Sequence, residues 1–235
     1  GVDGVVLAEH IVMGDDVDEY PWGTFPLQPS DPFPEPLITM AAIAASTQRL
    51  TLGTGILIAA LRPAALLAKQ IATLDRLCGG RLELGVGTGW HAAEFQAHGL
   101  DHASRGRLLT DTMAACRALW GAQPVTVDTE SFSFGPVWCE PRPVETGGPP
   151  VLFSEKLSAA FRAAGRDPSQ LRVRIPLPLI RSGGRLSLAA TLAAAPEVAR
   201  PGVTDATIPV AAFVRSEADL DPFFDGIERH LQAQA

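Results

Sequence analysis

The alternation of apolar and polar positions across residues 50–94 predicts a strand, a helix, a second strand and a glycine-rich turn in succession. Residues 50–58 are rich in β-branched and apolar types, and residues 81–86 form a second run of the same kind. Pro63 stands between them where a helix would begin, since its missing N–H needs no partner there. Apolar positions of the intervening helix recur at spacings of four and three, which places them on one face: Leu67, Ile71 and Leu74.

Glycines punctuate both ends of the second strand. Gly79 and Gly80 predict the end of the helix, because glycine takes the left-handed conformation at little cost. The turn at 85–90, with the sequence GVGTGW, brings bare backbone to the carboxyl end of a strand. In α/β folds, ligands bind at that end of the sheet.

The same β-then-α order continues over the rest of the chain. Alternating units of this kind predict a parallel sheet or barrel with right-handed crossovers. We expect helices at 37–46, 101–120, 154–164, 187–198 and 220–231. We expect strands at 4–8, 151–153, 171–180 and, within 202–213, at 206–213 (ATIPVAAF), and a small hairpin within 125–134. Ser216 and Asp219 predict a capping box before the last helix.

Residues 15–36 break this rhythm. They hold six prolines together with Tyr20, Trp22, Phe25 and Phe33, so a regular element is not expected there. A long loop of this kind is often a lid over a functional site. The alternative is a loop that only packs over the fold.

Charge and cysteine content narrow the class of protein. The 235 residues carry a net charge of −7 and no cluster of Lys or Arg, which disfavours nucleic acid and anionic membranes as partners. The longest apolar stretches, such as 37–45, are too short to span a bilayer. Three unpatterned cysteines favour a reducing, cytoplasmic location over a disulfide framework. The chain begins at Gly1 and enters a strand almost at once, so we expect that something upstream is missing.

The glycine-rich turn alone leaves three interpretations open. Glu83 followed by the glycines is similar to the first motif of S-adenosylmethionine methyltransferases, and also lies near the dinucleotide fingerprint. Both of those folds need another strand soon afterwards, whereas the thirty residues after this turn are predicted to be helical. A tight strand-to-helix turn without a ligand is the third interpretation.

Residues 52–90 as a whole, with Glu94, Gly99, Arg105 and the sequence PRP at 141–143, closely resemble the luciferase-like superfamily of flavin- and deazaflavin-dependent oxidoreductases. The resemblance is greatest to the branch that uses coenzyme F420. It implies one α/β domain over 1–235, a (β/α)8 TIM barrel. The loop 15–36 and a hairpin insertion at 125–140 would be additions to that barrel.

Against that family the barrel is expected to be incomplete. The resemblance implies that the first βα unit is missing from the chain. It also implies that a segment of about 30 to 40 residues is missing after Ser154, around the sixth strand, judged against a full barrel of about 250 residues. In relatives that segment holds much of the phosphate-binding part of the cofactor site, so no phosphate contacts are assigned here.

The resemblance also implies the site residues. His10 is expected to be catalytic, because an imidazole moves protons near neutral pH. Glu94 is a second catalytic candidate, although a carboxylate there also favours a helix N-terminus. The candidate cofactor-binding residues lie at the ends of three strands: Glu9, His10, Thr54, Gly55, Ile56, Gly87, Thr88, Gly89 and Trp90. A non-proline cis peptide is expected at Gly55–Ile56. Trp22 and Phe25 are candidates for the substrate pocket.

Other clusters are given structural roles. Cys116 falls on the apolar stripe of the helix 101–120 and is expected to be a core residue. His91, His98 and His102 lack the carboxylates of a metal pattern, so no metal is expected. Ser154 has no visible His-Asp partners, which disfavours a serine hydrolase.

Together these points predict an F420-dependent oxidoreductase that transfers a hydride between C5 of the deazaflavin and a small organic substrate. We expect a cytoplasmic homodimer that binds neither nucleic acid nor membrane. The alternatives are an FMN-dependent luciferase-like monooxygenase, a methyltransferase that uses S-adenosylmethionine, and a non-catalytic flavin-binding barrel.

Overall fold

The computed structural model describes residues 3–21, 23–25, 27–152, 174–199, 203 and 205–233. The chain divides into two compact units, one formed by residues 3–151 and the other containing residues 152–235. The single domain expected over 1–235 stays a prediction. No helix among the described residues is long and apolar enough to cross a membrane.

Strands and helices alternate over residues 4–97 of the first unit, as expected. The strands are β1 (Gly4–Leu7), β2 (Thr51–Thr54), β3 (Leu82–Gly85), the hairpin strands β4 (Val125–Asp128) and β5 (Ser133–Val137), and β6 (Val151–Leu152). The helices are α1 (Pro36–Ser46), α2 (Ala64–Leu77), α3 (Ala92–Ala97) and α4 (Arg105–Trp120). One sheet has the strand order β1-β2-β3-β6, and β4 pairs with β5 as an antiparallel hairpin.

The parallel register brings three chain segments to one edge of the sheet. Leu7 lies opposite Thr54 in the β1–β2 pair, and β2 runs parallel to β3. Backbone hydrogen bonds then continue past the strand ends, from Gly55 N to Leu7 O (2.8 Å) and from Leu57 N to Gly85 O (2.7 Å). Consequently Glu9 and His10, the segment 55–58 and the turn 86–90 all leave the sheet at its carboxyl edge.

Helices α2 and α4 pack against each other over small side chains. Ala64, Ala68 and Ala115 are buried, and the indole Nε1 of Trp120 donates to the carbonyl of Ala68 at 3.0 Å. The predicted apolar face of α2 is confirmed, since its members are at most 3% exposed: Leu67, Ile71 and Leu74. Pro63 precedes α2 as its N-cap rather than its first residue. Gly79 and Gly80 end the helix with φ of +65° and +79°, as predicted.

The described part of the second unit contains shorter strands and three helices. Its strands are β7 (Arg174–Pro176), β8 (Arg181–Ser182), β9 (Arg185–Leu186) and β10 (Asp205–Thr207), and its helices are α5 (Leu188–Ala193), α6 (Ala195–Val198) and α7 (Leu220–Gln232). β7 and β10 pair in parallel. The capping box of Ser216 and Asp219 is confirmed.

Prolines explain why two strands end earlier than expected. Residues 171–173 lie outside the described residues, and from Arg174 the strand predicted at 171–180 continues only to Pro176, with Pro178 two residues later. The strand predicted at 206–213 ends at Thr207, and Pro209 is the N-cap of a 3-10 turn. Proline lacks the N–H that a ladder needs. The helix expected at 154–164 and the break after Ser154 lie outside the described residues.

Close contact between the strand ends requires a glycine at position 85. A Cβ built on Gly85 would overlap the backbone carbonyl oxygen of Thr54. The side-chain hydroxyl of Thr54 in turn donates to the backbone carbonyl of Gly85 at 2.8 Å. A side chain there would push β2 and β3 apart where the two strands end.

We therefore expect Gly85→Ala to lower the free energy of unfolding by on the order of 1–3 kcal/mol, the usual cost of overpacking. Gly106→Ala is the matched control, because a Cβ on that helical glycine meets nothing within 4 Å. It should stabilise the protein by about 0.5–1 kcal/mol. Urea unfolding of both variants checks the contrast, and equal stabilities would contradict the close contact.

Candidate functional site

An imidazole and a buried carboxylate meet at the carboxyl edge of the sheet. Nδ1 of His10 lies 2.9 Å from Oε2 of Glu94, and the other carboxylate oxygen accepts from the backbone N–H of Ile11 at 2.8 Å. Glu94 is fully buried. A carboxylate only accepts hydrogen bonds, so the proton of a neutral His10 lies on Nδ1. Nε2 makes no hydrogen bond to the described residues and remains available to a ligand.

The partners of the Glu94 carboxylate bear on the two roles considered for this residue. The residue lies in the first turn of α3. Its carboxylate nevertheless bonds to His10 and Ile11, which follow β1, rather than to the N–H groups of its own helix. Glu94 therefore orients the imidazole of His10.

Glu9 is buried and held by different partners. Its Oε2 accepts from the backbone N–H of Ile58 at 2.6 Å, and its Oε1 accepts from Nη2 of Arg62 at 2.5 Å. The same Nη2 lies 2.5 Å from Oε1 of Glu35, at the end of the proline-rich loop. Glu9, expected to contact the cofactor, thus has its carboxylate turned toward protein groups.

Aromatic side chains of the loop and of the glycine turn surround His10. The ring of Phe33 lies 5.0 Å from the imidazole, and those of Phe25 and Trp90 each lie 5.8 Å away, all in edge-on geometry. Tyr20 packs against Phe25 and Trp90. The predicted lid therefore places aromatic rings at the candidate catalytic residue. Trp22, the other predicted pocket residue, lies outside the described residues.

A small pocket of about 70 Å³ opens beside His10. Pockets for drug-sized ligands hold several hundred Å³, so this one matches a small molecule rather than a three-ring coenzyme. Its lining combines two carboxylates with apolar side chains: Glu9, His10, Ile11, Phe33, Glu35 and Pro36.

The rim of predicted cofactor residues is packed against itself. A Cβ on Gly87 would lie 2.7 Å from Cδ1 of Ile56, and one on Gly89, whose φ is +74°, would lie 2.9 Å from Cγ2 of Ile58. The expected cis peptide is present at Gly55–Ile56. The glycines therefore allow the turn to approach the segment 55–58 closely. Their lack of a side chain serves this internal contact, and the space is not left open for a ligand.

Two side chains of that rim face outward. Ile56 is 38% exposed and Thr88 is exposed, beside the half-buried Trp90. Ile56 and the indole of Trp90 offer apolar surface to a planar ring, and the hydroxyl of Thr88 can hydrogen-bond to polar atoms at the edge of that ring. These residues, with Nε2 of His10, fit a flavin-type coenzyme. The hydroxyl of Thr54, in contrast, is buried and bonded to Gly85.

His91 fixes the start of the loop. Its Nε2 accepts a hydrogen bond from the backbone N–H of Gly14 at 2.7 Å, which requires an unprotonated nitrogen. Burial lowers the pKa of His91, and this outweighs the opposing effect of the Glu94 charge. Nδ1 of His98 donates to the backbone carbonyl of Glu94 at 2.7 Å, so these two histidines have structural partners.

Two further predictions concern Cys116 and a possible metal site. Cys116 is fully buried, and burial raises the pKa of its thiol to about 12, which confirms a core residue. Within the described part of the chain, no group of three His, Cys, Asp or Glu side chains is placed to hold a metal.

Sequence analysis missed Arg62, Phe33 and Glu35. Arg62 lies between the end of a strand and Pro63, the N-cap of α2. A charged residue between two predicted buried elements was the feature of the sequence that could have indicated a buried ion pair. Phe33 and Glu35 close a loop in which only Trp22 and Phe25 were singled out.

The chain belongs to the luciferase-like monooxygenase family, whose sequence profile matches residues 1–166. Its fold is therefore of the α/β TIM-barrel type. The family relationship confirms the resemblance inferred from residues 52–90, and its members are oxidoreductases.

Among curated relatives, an uncharacterised protein of Mycobacterium tuberculosis is 38% identical over 132 residues, which is 56% of this chain and 47% of the relative. The chain thus spans about half the length of that relative. An FMNH2-dependent dimethylsulfone monooxygenase of Pseudomonas fluorescens is 33% identical over 124 residues, 52% of this chain and 33% of the relative.

Solved structures give the same fold. A monooxygenase from Streptomyces bottropensis superposes with a TM-score of 0.59 at 26% identity, covering 87% of this chain and 58% of the other. An F420-dependent secondary alcohol dehydrogenase in complex with an F420-acetone adduct gives a TM-score of 0.59 at 21% identity, covering 75% and 60%.

The hydrogen bond to His91 predicts a pH-dependent stability. Because the pKa of His91 is lowered in the folded protein, its contribution is complete above the ordinary value of 6.5 and is lost as the pH falls through the folded pKa. In His91→Gln the amide oxygen still accepts from Gly14 but does not titrate.

The parent should therefore lose more stability than His91→Gln between pH 8 and pH 5, by roughly 1 kcal/mol, the worth of one hydrogen bond. Urea unfolding at both pH values measures this difference. Parallel losses in the two proteins would show that His91 does not titrate in this range.

Proposed function

We propose that this chain carries the coenzyme-binding and proton-transfer part of an F420-dependent oxidoreductase, which transfers a hydride between C5 of the deazaflavin and a small organic substrate. One observation carries the proposal: the partly buried His10 is held by the buried Glu94, and its Nε2 is open beside a small pocket. The exposed Ile56 and Thr88 and the half-buried Trp90, at the adjoining rim, would hold the coenzyme ring.

The chain's own residues supply orientation and proton management. Glu94 keeps the proton of the neutral imidazole on Nδ1, so Nε2 is free to accept a proton from a substrate hydroxyl and to return it in the reverse direction. The Glu94 carboxylate then stabilises the imidazolium that forms. The rings of Phe25, Phe33 and Trp90 pack edge-on against the imidazole and limit its movement. The coenzyme, when bound, supplies the hydride chemistry.

An FMN-dependent monooxygenase is the second candidate. A relative at 33% identity is named as FMNH2-dependent, whereas the F420-dependent structure is only 21% identical. The same barrel, rim and imidazole would serve that chemistry. Membership of the luciferase-like family disfavours the methyltransferase alternative.

Titration of the purified protein with F420 and, separately, with FMN tests the coenzyme by fluorescence. We expect F420 to bind in the micromolar range or tighter. Tight FMN binding without F420 binding would favour the second candidate, and binding of neither would contradict both.

Glu94→Gln tests the proton-transfer pair. The amide keeps an acceptor for Ile11 N but loses the charge that stabilises the imidazolium. We expect coenzyme affinity within about 3-fold of the parent and hydride transfer slower by roughly 100-fold, the usual range for general acid–base groups. Stopped-flow absorbance with a panel of small alcohols and ketones measures the rate. Glu197→Gln, an exposed site, is the control, and an equal rate in both variants would overturn the assignment.

A further inference from the structure

Arg62 joins two carboxylates that come from distant parts of the chain. It follows the 3-10 turn Ala59–Leu61 and precedes the N-cap of α2, and its side chain is 9% exposed. A single nitrogen, Nη2, lies 2.5 Å from Oε1 of Glu9 and 2.5 Å from Oε1 of Glu35. Glu9 and Glu35 lie 53 and 27 residues away in sequence.

Each of these carboxylates uses its second oxygen for a backbone N–H. Oε2 of Glu9 accepts from Ile58 at 2.6 Å, which ties the end of β1 to the segment that follows the rim residue Ile56. Oε2 of Glu35 accepts from Ile38 at 2.6 Å, which caps α1 and fixes the end of the proline-rich loop. One guanidinium therefore connects the coenzyme rim to the end of the loop.

Charge makes this connection strong. Burial lowers the pKa of Arg62, but its hydrogen bonds to Glu9 and Glu35 and their charges outweigh that effect and raise the pKa above its ordinary value. The guanidinium thus stays charged. Glu9, whose side chain is fully buried, has no other cation among the described partners, so it depends on Arg62. Removing one member of a buried ion pair leaves the other charge uncompensated.

Both carboxylates also form walls of the pocket beside His10, whereas Arg62 lies behind them and does not line it. Arg62 therefore acts on the pocket through Glu9 and Glu35. Its second nitrogen, Nη1, is buried without a partner in the described chain, so the guanidinium is held from one side.

We propose that Arg62 is a positioning residue that holds Glu9 and Glu35 in the pocket wall and thereby couples the coenzyme rim to the end of the proline-rich loop. The inference rests on the proposed function, in which the rim binds F420 or FMN and the pocket takes the small substrate.

Arg62→Lys is the test variant, because lysine keeps the charge but its shorter side chain does not reach both carboxylates at once. Arg107→Lys is the matched control, since Arg107 pairs with Glu130 on the surface, where both side chains are more than half exposed. Hydrogen exchange followed by mass spectrometry reports on the two segments 27–38 and 57–61. Fluorescence titration gives the dissociation constants for F420 and FMN.

We expect Arg62→Lys to keep its thermal midpoint within a few degrees of the parent. Exchange should rise at least 10-fold in both segments, and the coenzyme should bind about 5- to 20-fold more weakly. Arg107→Lys should match the parent in every measurement. A purely structural role would be rescued by lysine, so parental exchange and affinity in Arg62→Lys would overturn the inference.

Glu35→Gln provides an independent arm if the lysine variant does not fold. Its side chain is one-third exposed, and the Arg62–Glu9 pair remains intact. We expect faster exchange in 27–38 alone, with 57–61 unchanged. No change in 27–38, or an equal rise across the whole first unit, would overturn the coupling. Binding of neither coenzyme to the parent would contradict the proposed function, while the exchange result would still decide the role of Arg62.

Discussion

The arrangement of the site follows from the need to satisfy buried carboxylates at the carboxyl edge of the sheet. Glu9 and Glu94 are 4% and 0% exposed. A buried carboxylate is costly unless it is paired and hydrogen-bonded. Each residue meets this need with one side-chain partner and one backbone N–H, Arg62 and Ile58 for Glu9 and His10 and Ile11 for Glu94. The adjacent residues Glu9 and His10 thereby link β1 to two different neighbours, and this fixes the direction of the imidazole.

Close approach of the backbone at the strand ends is the second constraint. The segment 55–58 lies against the turn 85–89, and Gly85 and Gly87 leave no space for a Cβ. Because the glycines serve this internal contact, the outward face of the rim is formed by side chains such as Ile56 and Thr88. A glycine-rich motif here thus shapes the rim from within, through close contact between backbone segments.

Sequence periodicity predicted the elements that depend on residues close together in the sequence. The face of α2, its glycine stop and the capping box at Ser216 all depend on residues within a few positions of one another. The strand ends also followed from the pattern, so His10 and the rim were placed at one edge. The pairing of Glu94 with His10 spans 84 residues, and that of Arg62 with Glu35 spans 27. Such contacts depend on packing, and spacing alone left the helix N-terminus as an alternative role for Glu94.

The two pairings fix different parts of the site. Glu94 holds the imidazole of His10 beside the pocket through its contact with Nδ1. The Glu9–Arg62–Glu35 group keeps its cation, since the pKa of Arg62 is raised. A permanent charge is suited to hold the pocket wall, because it keeps the carboxylates of Glu9 and Glu35 paired. The loop end and the imidazole are therefore fixed by separate partners, Arg62 and Glu94, so that either contact can be removed by substitution while the other is kept.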